Sequence, residues 1–308
     1  MCKGMPNTLP PPRAYLYLDA VARAGSIRKA AERLFVASTA LNRKIKEIED
    51  ALGTPLFERL PRGVRLTAAG EVMIAMVRRN IADLRATTSH IEHLRGNMRG
   101  TVRLGCAESV ATGLVPYAIA DYQTQYPAVK FSVAMGVTSS LSNALLEDDL
   151  DLLIVHDPAP SEMIKVIASI RQPLCAMVRP DHPLAKLPSL RLSDCQKFPV
   201  ALGDANFGSR RLIETIVSRS RISLNVVLQA SSVQVLKEFT LASNVVSFQF
   251  EIGTRKDVAN GTLVAIPLTD RALSNTKLSI VHRQGRTLPI AVKSFSQLLE
   301  ARLTAHNL

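Results

Sequence analysis

The chain has 308 residues, more than one hydrophobic core usually organises, so two or three domains are expected. Apolar residues make up 47% and charged residues 21%, which is typical of a globular protein and excludes a disordered chain. The formal net charge is +12, and residues 1–100 carry +8 of it, with 17 Lys and Arg against 9 Asp and Glu. A polyanionic partner, nucleic acid before a membrane surface, is therefore expected for the first third.

Hydropathy and cysteine spacing exclude further classes. No apolar run approaches the roughly 20 residues of a transmembrane helix, and the polar, proline-rich start carries no apolar stretch like that of a signal peptide. The cysteines are scattered without a Cys-x-x-Cys pair, which argues against a disulfide framework or a zinc site: Cys2, Cys106, Cys175 and Cys195. We therefore expect a cytoplasmic protein without a membrane partner.

A helix-turn-helix is predicted after Gly25. Apolar residues recur at helical spacing in the first helix, with Ser26 placed as its N-cap: Ile27, Ala30, Ala31 and Leu34. A second helix is expected to start near Ser38 and to end at Gly53. Its apolar stripe consists of Leu41, Ile45, Ile48 and Leu52. Two short helices joined by about four residues can place the second helix in the DNA major groove.

The outward face of this second helix is predicted to be polar and basic. It would carry Thr39, Asn42, Arg43 and Lys46 at spacings of three and four. Asn and Arg can make bidentate hydrogen bonds to adenine and guanine edges, and Thr and Lys can reach methyl groups or phosphates. The alternative is a solvated polar face, which is the commoner role of an isolated basic helix.

A basic hairpin is predicted directly after the second helix, and it favours the DNA-binding interpretation. Arg59, Arg62 and Arg65 lie near a Pro-Gly tip, where they suit the phosphate backbone or the minor groove. Helix, turn, helix and basic wing together are more specific than any single part. The candidate DNA-binding residues are Ser26, Arg28, Ser38, Thr39, Asn42, Arg43, Lys46, Arg59, Arg62 and Arg65.

A long helix is expected over residues 67–95, with Thr67 as its cap. Two sets of positions repeat every seven residues: Ile74, Ile81 and Thr88, and Val77, Leu84 and Ile91. This period predicts a seam against a partner helix, and thus a dimer; the alternative is an amphipathic helix packed on its own domain. His90 and His93 lie one turn apart, but no further ligand points to a metal site.

Short apolar strands alternate with helices from Thr101 onward, which predicts a parallel-rich α/β architecture. Strands are expected near 102–106, 129–134 and 151–155, then near 174–178, 198–202, 224–229, 245–249 and 262–266. One helix is expected from Leu114 to Tyr126. A strand at 277–282 would return to the first lobe, and a closing helix would span 288–303. Two lobes built this way leave a cleft at the carboxyl ends of their strands.

The first third resembles the LysR-type transcriptional regulators. The resemblance lies in three runs, Ala20–Leu34, Ala40–Glu49 and Leu52–Arg59, and in Leu66-Thr67-Ala68-Ala69-Gly70. The family usually has Ser-Gln-Pro at Ala37-Ser38-Thr39 and Ser at Asn42, so the resemblance implies the winged helix but not the DNA sequence that is preferred. The later region is similar, more weakly, to the family's effector-binding domain, which shares its plan with periplasmic solute-binding proteins.

The resemblance implies a domain order and a set of partners. We expect a winged helix-turn-helix over 9–66, a linker and dimerisation helix over 67–95, and an effector-binding domain over 101–308. Lobe I would comprise about 101–170 and 268–308, and lobe II about 171–267. The family binds an interrupted dyad in double-stranded DNA as a homodimer or homotetramer, and RNA polymerase is a candidate partner. No cofactor is expected beyond a small-molecule effector of unknown identity.

Candidate effector-binding residues follow from the predicted strand ends and helix starts. They are Cys106, Glu108, Ser109, Thr138, Ser139, Gly203, Asn206, Phe207, Ser231, Ser232 and Phe248. Each hydroxyl could instead be a simple N-cap, and Cys106 a small buried residue rather than a redox sensor. Hydroxyls and amides at helix starts favour an anion, whereas Glu108 and Asp204 favour an amine or hydroxyl group. A small polar or zwitterionic metabolite would satisfy both.

Three other functions are weighed against a regulator. An enzyme is not expected, because the chain has no Gly-x-Ser-x-Gly, His-Glu-x-x-His, P-loop or dinucleotide motif, and no nucleophile accompanies His156-Asp157. A solute carrier would need a secretory signal, and a DNA-compacting protein would not need two lobes. The sequence therefore predicts a sequence-specific DNA-binding transcriptional regulator, modulated by a small polar metabolite bound between the lobes.

Overall fold

The computed structural model describes residues 12–205, 207–220 and 222–305. The chain divides into two compact units, one ending at Met98 and the other starting at Arg99, and the short segment Arg286–Ile290 belongs to the first. Residues 9–11 of the predicted winged helix, and 306–308 of the predicted effector-binding domain, lie outside the described residues.

The first unit is a winged helix-turn-helix followed by a long helix, as predicted. Its elements are α1 (Arg13–Ala24), α2 (Ile27–Leu34), α3 (Ser38–Leu52), β1 (Phe57–Leu60), β2 (Gly63–Leu66) and α4 (Ala68–Leu94). The strands β1 and β2 pair antiparallel, so the chain returns directly from the hairpin into α4. The helix-turn-helix and its wing are thus continuous in sequence and in structure.

The predicted helix boundaries rest on capping residues, and the structure confirms them. The Ser26 hydroxyl accepts a hydrogen bond from the Lys29 amide at 3.4 Å, and the Thr67 hydroxyl accepts one from the Gly70 amide at 3.0 Å. Gly53 ends α3 in the left-handed region, with φ 67. Each cap satisfies backbone groups that the helix itself leaves without partners.

The seam predicted on α4 is wrong for its first half. Ile74, Val77 and Ile81 lie in the core of the first unit, where α4 packs against α1. The other members of this core are Leu18, Val21, Ala30, Ala31, Leu41, Ile45, Leu56 and Phe57. The heptad spacing thus marks the stripe that this helix buries on its own domain, the alternative interpretation of the pattern.

In the second half of α4, the predicted seam residues become more exposed toward the end of the helix. Leu84 and Thr88 are half-buried, while Ile91 is 46% exposed. The Thr88 hydroxyl donates to the Leu84 carbonyl oxygen at 2.8 Å within the helix. The apolar residues that α4 leaves most exposed are Val72 and Leu94, neither of which belongs to the predicted repeat.

The second unit consists of two α/β lobes. Lobe I begins with β3 (Gly100–Cys106), α5 (Glu108–Gly113), α6 (Val115–Gln125), β4 (Val129–Met135), α7 (Thr138–Leu146), β5 (Leu152–His156) and β6 (Ile164–Arg171). Lobe II contains β7 (Leu174–Val178), β8 (Pro199–Gly203), α8 (Gly208–Val217), β9 (Asn225–Ala230), α9 (Val233–Ala242), β10 (Val246–Phe250), α10 (Arg255–Ala259) and β11 (Val264–Pro267). The chain then passes through α11 (Arg271–Ser274) to β12 (Lys277–Arg283) and α12 (Ile290–Ala305).

Each lobe is built on one sheet of mixed direction. The strand order is β4-β3-β5-β12-β6 in lobe I and β11-β7-β10-β8-β9 in lobe II. In lobe I, β3 pairs parallel with β4 and β5, whereas β12 runs antiparallel to β5 and β6. Every predicted strand is present with its ends shifted by two residues or fewer, and β12 returns to lobe I as predicted. The two-lobed α/β architecture is confirmed.

Two elements of lobe I differ from the prediction. The strand β6 was not predicted; it lies at the sheet edge and is largely half-buried or exposed, so its sequence lacks the continuous apolar run of the inner strands. The helix expected from Leu114 to Tyr126 is preceded by a separate short helix, α5, and begins anew at Val115. Pro116 stands in its first turn, where a missing amide hydrogen costs nothing.

Candidate nucleic-acid interface and ligand cleft

The outward face of α3 carries the predicted polar residues. Ser38, Thr39, Arg43 and Lys46 are exposed, while Leu41 and Ile45 on the opposite side are buried. The helix starts at Ser38 after Ala37, whose side chain makes no capping hydrogen bond. The first-turn amides of α3 therefore add to the positive potential of its basic side chains. A phosphate or a base edge is a suitable partner for this end of the helix.

Asn42 joins α3 to the wing. Its Oδ1 accepts a hydrogen bond from Nη2 of Arg59 at 2.7 Å. The helix-turn-helix and the first wing strand thus present one connected polar surface. A bidentate contact of Asn42 with adenine uses both Oδ1 and Nδ2, so it would require Arg59 to release this oxygen. In this arrangement, Asn42 orients the Arg59 guanidinium and also lies on the outward face of α3.

Other predicted cations pair with neighbouring carboxylates at the surface. Arg28 Nε lies 3.2 Å from Glu32, and Arg43 Nε lies 3.6 Å from Glu47. Arg65 Nη2 lies 2.7 Å from Glu58, its partner across the hairpin, and this hydrogen bond raises the pKa of Arg65. Such exposed pairs contribute little to stability, so these arginines can exchange a carboxylate for a phosphate.

The wing is held against the helices by backbone contacts. Oε1 of Glu49 accepts hydrogen bonds from the amides of Leu56 at 2.8 Å and Phe57 at 3.0 Å. The Val64 amide donates to the Gly25 carbonyl oxygen at 2.8 Å. A Cβ at Gly63 would overlap that same oxygen, so only glycine fits there. Arg62 is exposed at the hairpin tip that these contacts hold.

A cleft of about 290 Å³ lies between the two lobes of the second unit. Its lining residues in lobe I are Ala107, Glu108, Ser109, Met135, Gly136, Val137, Thr138 and His156. Those in lobe II are Phe207, Gly208, Ser209, Ser231, Val233, Leu236, Phe248, Gln249 and Phe250. A mainly apolar wall with a few polar groups is typical of small-molecule sites, and this volume is at the small end of their range.

Two polar side chains of the cleft wall each have a buried atom without a hydrogen-bond partner among the described residues. Gln249 is 4% exposed, and its Oε1 has no hydrogen-bond partner among the described residues. His156 stacks on Phe250 with ring centroids 3.6 Å apart and planes 10° apart. Burial lowers the pKa of His156 to about 3, so its imidazole is neutral, and its Nε2 has no partner within the described part of the chain. A ligand could satisfy both atoms.

The structure brings together some of the predicted effector-binding residues and not others. Those that line the cleft are Glu108, Ser109, Thr138, Phe207, Ser231 and Phe248. Cys106, Ser139, Gly203 and Ser232 do not line it. Cys106 is fully buried in β3, Gly203 lies beneath the ring of Phe207, and Ser232 caps α9. Ser139 is exposed one residue into α7, and Asn206 lies outside the described residues.

His156 and Ser209 are polar lining residues that the candidate set lacks, whereas Gln249 follows Phe248 at the same predicted strand end. His156 ends β5 and Gln249 lies near the end of β10, so the strand-end rule that found other candidates also reaches them. In the sequence, His156-Asp157 instead resembles a catalytic pair that lacks a nucleophile. Oδ1 of Asp157 accepts a hydrogen bond from the Lys277 amide at 2.9 Å, so this carboxylate stabilises the start of β12.

The cysteines of the second unit are shielded from solvent. Burial raises the pKa of Cys106 to about 11, and that of Cys175 and Cys195 to about 12. A thiol with a raised pKa holds its proton at neutral pH and reacts slowly, which supports the role of Cys106 as a small buried residue. Cys2 lies outside the described residues.

Neither a metal-binding cluster nor a membrane-spanning helix is present among residues 12–205, 207–220 and 222–305. No group of His, Cys, Asp or Glu side chains there is arranged to hold a metal ion, and His90 and His93 are both exposed on α4. No helix in that part of the chain combines the length and apolar character needed to cross a bilayer.

Comparison with known proteins matches both units. The model of the "LysR substrate binding domain" matches residues 95–304, and that of the "Bacterial regulatory helix-turn-helix protein, lysR family" matches residues 12–71. The chain is 25% identical over 284 residues to the HTH-type transcriptional activator CmpR of Synechocystis sp., covering 92% of each protein. It is 27% identical over 282 residues to the HTH-type regulator YybE of Bacillus subtilis, covering 91% of this chain and 95% of YybE.

Solved structures share the fold over nearly the whole length. A full-length OxyR variant from Pseudomonas aeruginosa superposes with a TM-score of 0.70 at 18% identity, covering 93% of each chain. Full-length CbnR in complex with its target DNA gives a TM-score of 0.58 at 18% identity, covering 94% of this chain and 98% of CbnR. The relatives are regulators rather than enzymes. Because one family model alone covers more than half of its residues, the chain belongs to the LysR family of transcriptional regulators.

Proposed function

We propose that this regulator recognises an interrupted dyad in double-stranded DNA and that a small polar molecule in the interlobe cleft controls its action. The observation that carries the DNA-binding part is the connected basic surface of α3 and the wing. Arg43 and Lys46 on α3 and Arg59 on the wing are exposed, and the Asn42–Arg59 hydrogen bond joins the two elements. CbnR, a relative in fold, has been solved with its target DNA.

We assign different tasks to the two parts of this surface. Arg43 on α3 is placed to read base edges in the major groove, because it projects from the exposed side of the helix and its partner Glu47 holds it only at 3.6 Å. Arg62 at the wing tip is placed to bind phosphate or the minor groove, which adds affinity without strong sequence preference. The summed phosphate contacts make binding steeply salt-dependent.

We also propose that the protein acts as a homodimer or homotetramer, with α4 contributing to the dimer. The first-half positions predicted for this seam are buried in the protein's own core. In place of those buried positions, we propose that the dimer contact uses the apolar residues that α4 exposes, which are Val72, Met76, Ile91 and Leu94. These residues fall within an arc of about 100° around the helix, so they form one face that a second α4 can cover. A two-fold dimer matches a two-fold DNA site.

The cleft supports the ligand-controlled part of the proposal. It lies between the two lobes, and its wall holds buried polar atoms that a ligand can satisfy. A ligand that binds one arrangement of the lobes better than another shifts the population toward that arrangement. Through the subunit contacts this shift changes the spacing of the recognition helices and the bend of the DNA.

RNA polymerase is the proposed further partner, and the cytoplasm the proposed location.

The test is selection of bound fragments from sheared genomic DNA of the source organism, with Arg43→Ala beside the unchanged protein. We expect a few dyad-containing fragments to be enriched, and Arg43→Ala to weaken their binding by about 1–3 kcal/mol while flattening the base preference. Arg62→Ala should weaken all sequences about equally. Dissociation constants at two salt concentrations measure both effects.

The exposed Arg219 of lobe II supplies the control, and Arg219→Ala should change neither affinity nor preference. If Arg43→Ala kept the site preference, α3 would not read bases through this side chain. Binding without enrichment, equal in all variants and unchanged by metabolite extract, would indicate a protein that only coats DNA.

A further inference from the structure

One carboxylate of lobe I crosses the cleft to lobe II. Glu108, the first residue of α5, accepts a hydrogen bond from the Ser232 hydroxyl at 2.8 Å through Oε1. Its Oε2 accepts one from the Val233 amide at 3.0 Å, and Oε1 also lies 3.4 Å from the Gln234 amide. These amides open α9, where the helix leaves backbone donors free and favours negative charge. Glu108 therefore occupies the position at α9 that a bound carboxylate would take.

The rest of α5 packs tightly against the same lobe. A Cβ at Gly113 would overlap the carbonyl oxygen of Ile252, and a Cβ at Gly253 would come within 3.0 Å of the Ser109 Cβ. Backbone of lobe II thus runs directly along α5, with no side chain between them. The Glu108 hydrogen bonds belong to a close contact that extends along the whole short helix, and that contact holds the two lobes together.

Among the described residues, the lining of the cleft contains no Lys or Arg, and its donors are hydroxyls and the first-turn amides of α7 and α8. Beside these donors, Glu108 and Gln249 supply acceptors to the wall, and the neutral ring of His156 carries no charge. Oε1 of Gln249 has no partner among the described residues, and a buried acceptor of this kind is stabilised by a donor. A second carboxylate at this end of the cleft would meet Glu108 across a short distance and be repelled.

We propose that Glu108 is an interlobe latch that also determines ligand specificity. Its carboxylate holds the N-terminus of α9, so the cleft admits a ligand that presents hydrogen-bond donors there, and a ligand carboxylate reaches α9 only by displacing Glu108. Displacement would release one contact between the lobes and thereby couple ligand charge to lobe arrangement. The inference rests on the proposed function, because it specifies the ligand of that cleft.

Chemical rescue with acetate tests the latch. Glu108→Ala removes the atoms of a CH₂–COO⁻ group, which acetate can replace at α9. In this variant of the full-length protein, the Val233 and Gln234 amides should exchange hydrogen for deuterium at least roughly tenfold faster, the factor that corresponds to losing a charge-assisted hydrogen bond. Sodium acetate should slow this exchange and raise the Tm of the variant, relative to sodium chloride at equal ionic strength. The unchanged protein should not respond to acetate.

Two further variants make the result decisive. Glu108→Gln keeps the shape of the side chain, so it should exchange faster than the unchanged protein yet not respond to acetate. It also supplies the measurement if Glu108→Ala does not fold. Glu162→Ala, at an exposed position of lobe I, should behave like the unchanged protein.

Either of two outcomes would overturn the latch. The first is unchanged exchange at Val233 and Gln234 in both Glu108 variants. The second is protection of the unchanged protein by acetate to the same degree as Glu108→Ala. No DNA enters the measurement, so either outcome would leave the proposed regulator function standing. Conversely, failure of the fragment selection would not alter the exchange result.

Discussion

At the scale of single residues, the turn of the helix-turn-helix contains a strained aromatic. Phe35 ends α2 with φ 55 and ψ 44, in the left-handed region, and its side chain is 95% exposed. A residue with a Cβ pays about 1–2 kcal/mol for this conformation, and glycine does not. The exposed ring recovers little of that cost by burial. We expect Phe35→Gly to raise the free energy of unfolding of the first unit by about 1 kcal/mol.

Chemical denaturation followed by far-UV circular dichroism measures this gain. Phe35→Ala is the matched control, because it removes the ring but keeps the Cβ, and it should leave stability nearly unchanged. If the glycine variant were no more stable than the alanine variant, the left-handed conformation of residue 35 would carry no strain.

Single residues also show what sequence reasoning reaches and what it does not. Ser26 and Thr67 are predicted correctly as caps, because a cap depends on amides two or three residues away. Asn42 was placed on the exposed face of α3, but its bond to Arg59 depends on a hairpin that folds back from 17 residues later. The same holds for Glu108, whose partners on α9 lie in the other lobe. A single sequence therefore predicts hydrogen bonds between residues a few positions apart, but not hydrogen bonds between side chains of distant elements.

At the scale of elements, the position of the wing depends on a close backbone contact between Gly63 and Gly25. Gly63 has φ 142, and a Cβ there would overlap the carbonyl oxygen of Gly25, which is backbone and cannot turn aside. Gly63→Ala should therefore push β2 away from the α1–α2 turn and cost about 2 kcal/mol or more. Because Arg62 and Arg65 move with the strand, affinity for DNA of any sequence should fall as well.

Denaturation and fluorescence anisotropy on a labelled duplex measure the two effects of Gly63→Ala. Gly53→Ala separates strain from collision, because Gly53 also has a positive φ of 67 but a Cβ there meets nothing within 4 Å. This control should lose stability modestly and keep most of its DNA affinity. Equal losses in both variants would show that the wing is not held by this close approach.

The helix α4 shows why an element can be predicted while its partner is not. The seven-residue repeat correctly indicated a long helix with one buried stripe. It could not distinguish a stripe covered by α1 of the same chain from one covered by a second subunit, because both bury Ile and Val at the same spacing. The ion pair of Arg78 with Asp19, at 2.9 Å between α4 and α1, is consistent with the first arrangement.

At the scale of the whole molecule, the cleft wall is assembled from distant parts of the chain. His156 ends a strand of lobe I and Phe250 ends a strand of lobe II, yet their rings stack. The strand-end rule predicted the edge at which the cleft lies, since it depends only on the order of strands and helices. It could not predict which strand-end side chains meet, because this depends on how closely the lobes approach at α5.

Three histidines of the second unit, all with lowered pKa values, connect its stability to pH. Burial lowers the pKa of His156 to about 3, and it also lowers the pKa of His182 and His282. In the unfolded chain a histidine titrates near 6.5, so between the folded and unfolded values the unfolded state binds more protons. The stability that these neutral rings support is thus fully present above about pH 6.5 and is lost as the pH falls.

We expect the free energy of unfolding of the second unit to decrease between about pH 7 and pH 5, by up to about 1.4 kcal/mol per pH unit for His156, with His182 and His282 contributing in the same direction. Urea denaturation at several pH values measures the slope. His156→Gln should flatten it, since glutamine does not titrate, whereas His90→Gln on the exposed side of α4 should not. If His156→Gln kept the full slope, protonation of this ring would not oppose folding, and the pH dependence would have to come from His182, His282 or the carboxylates.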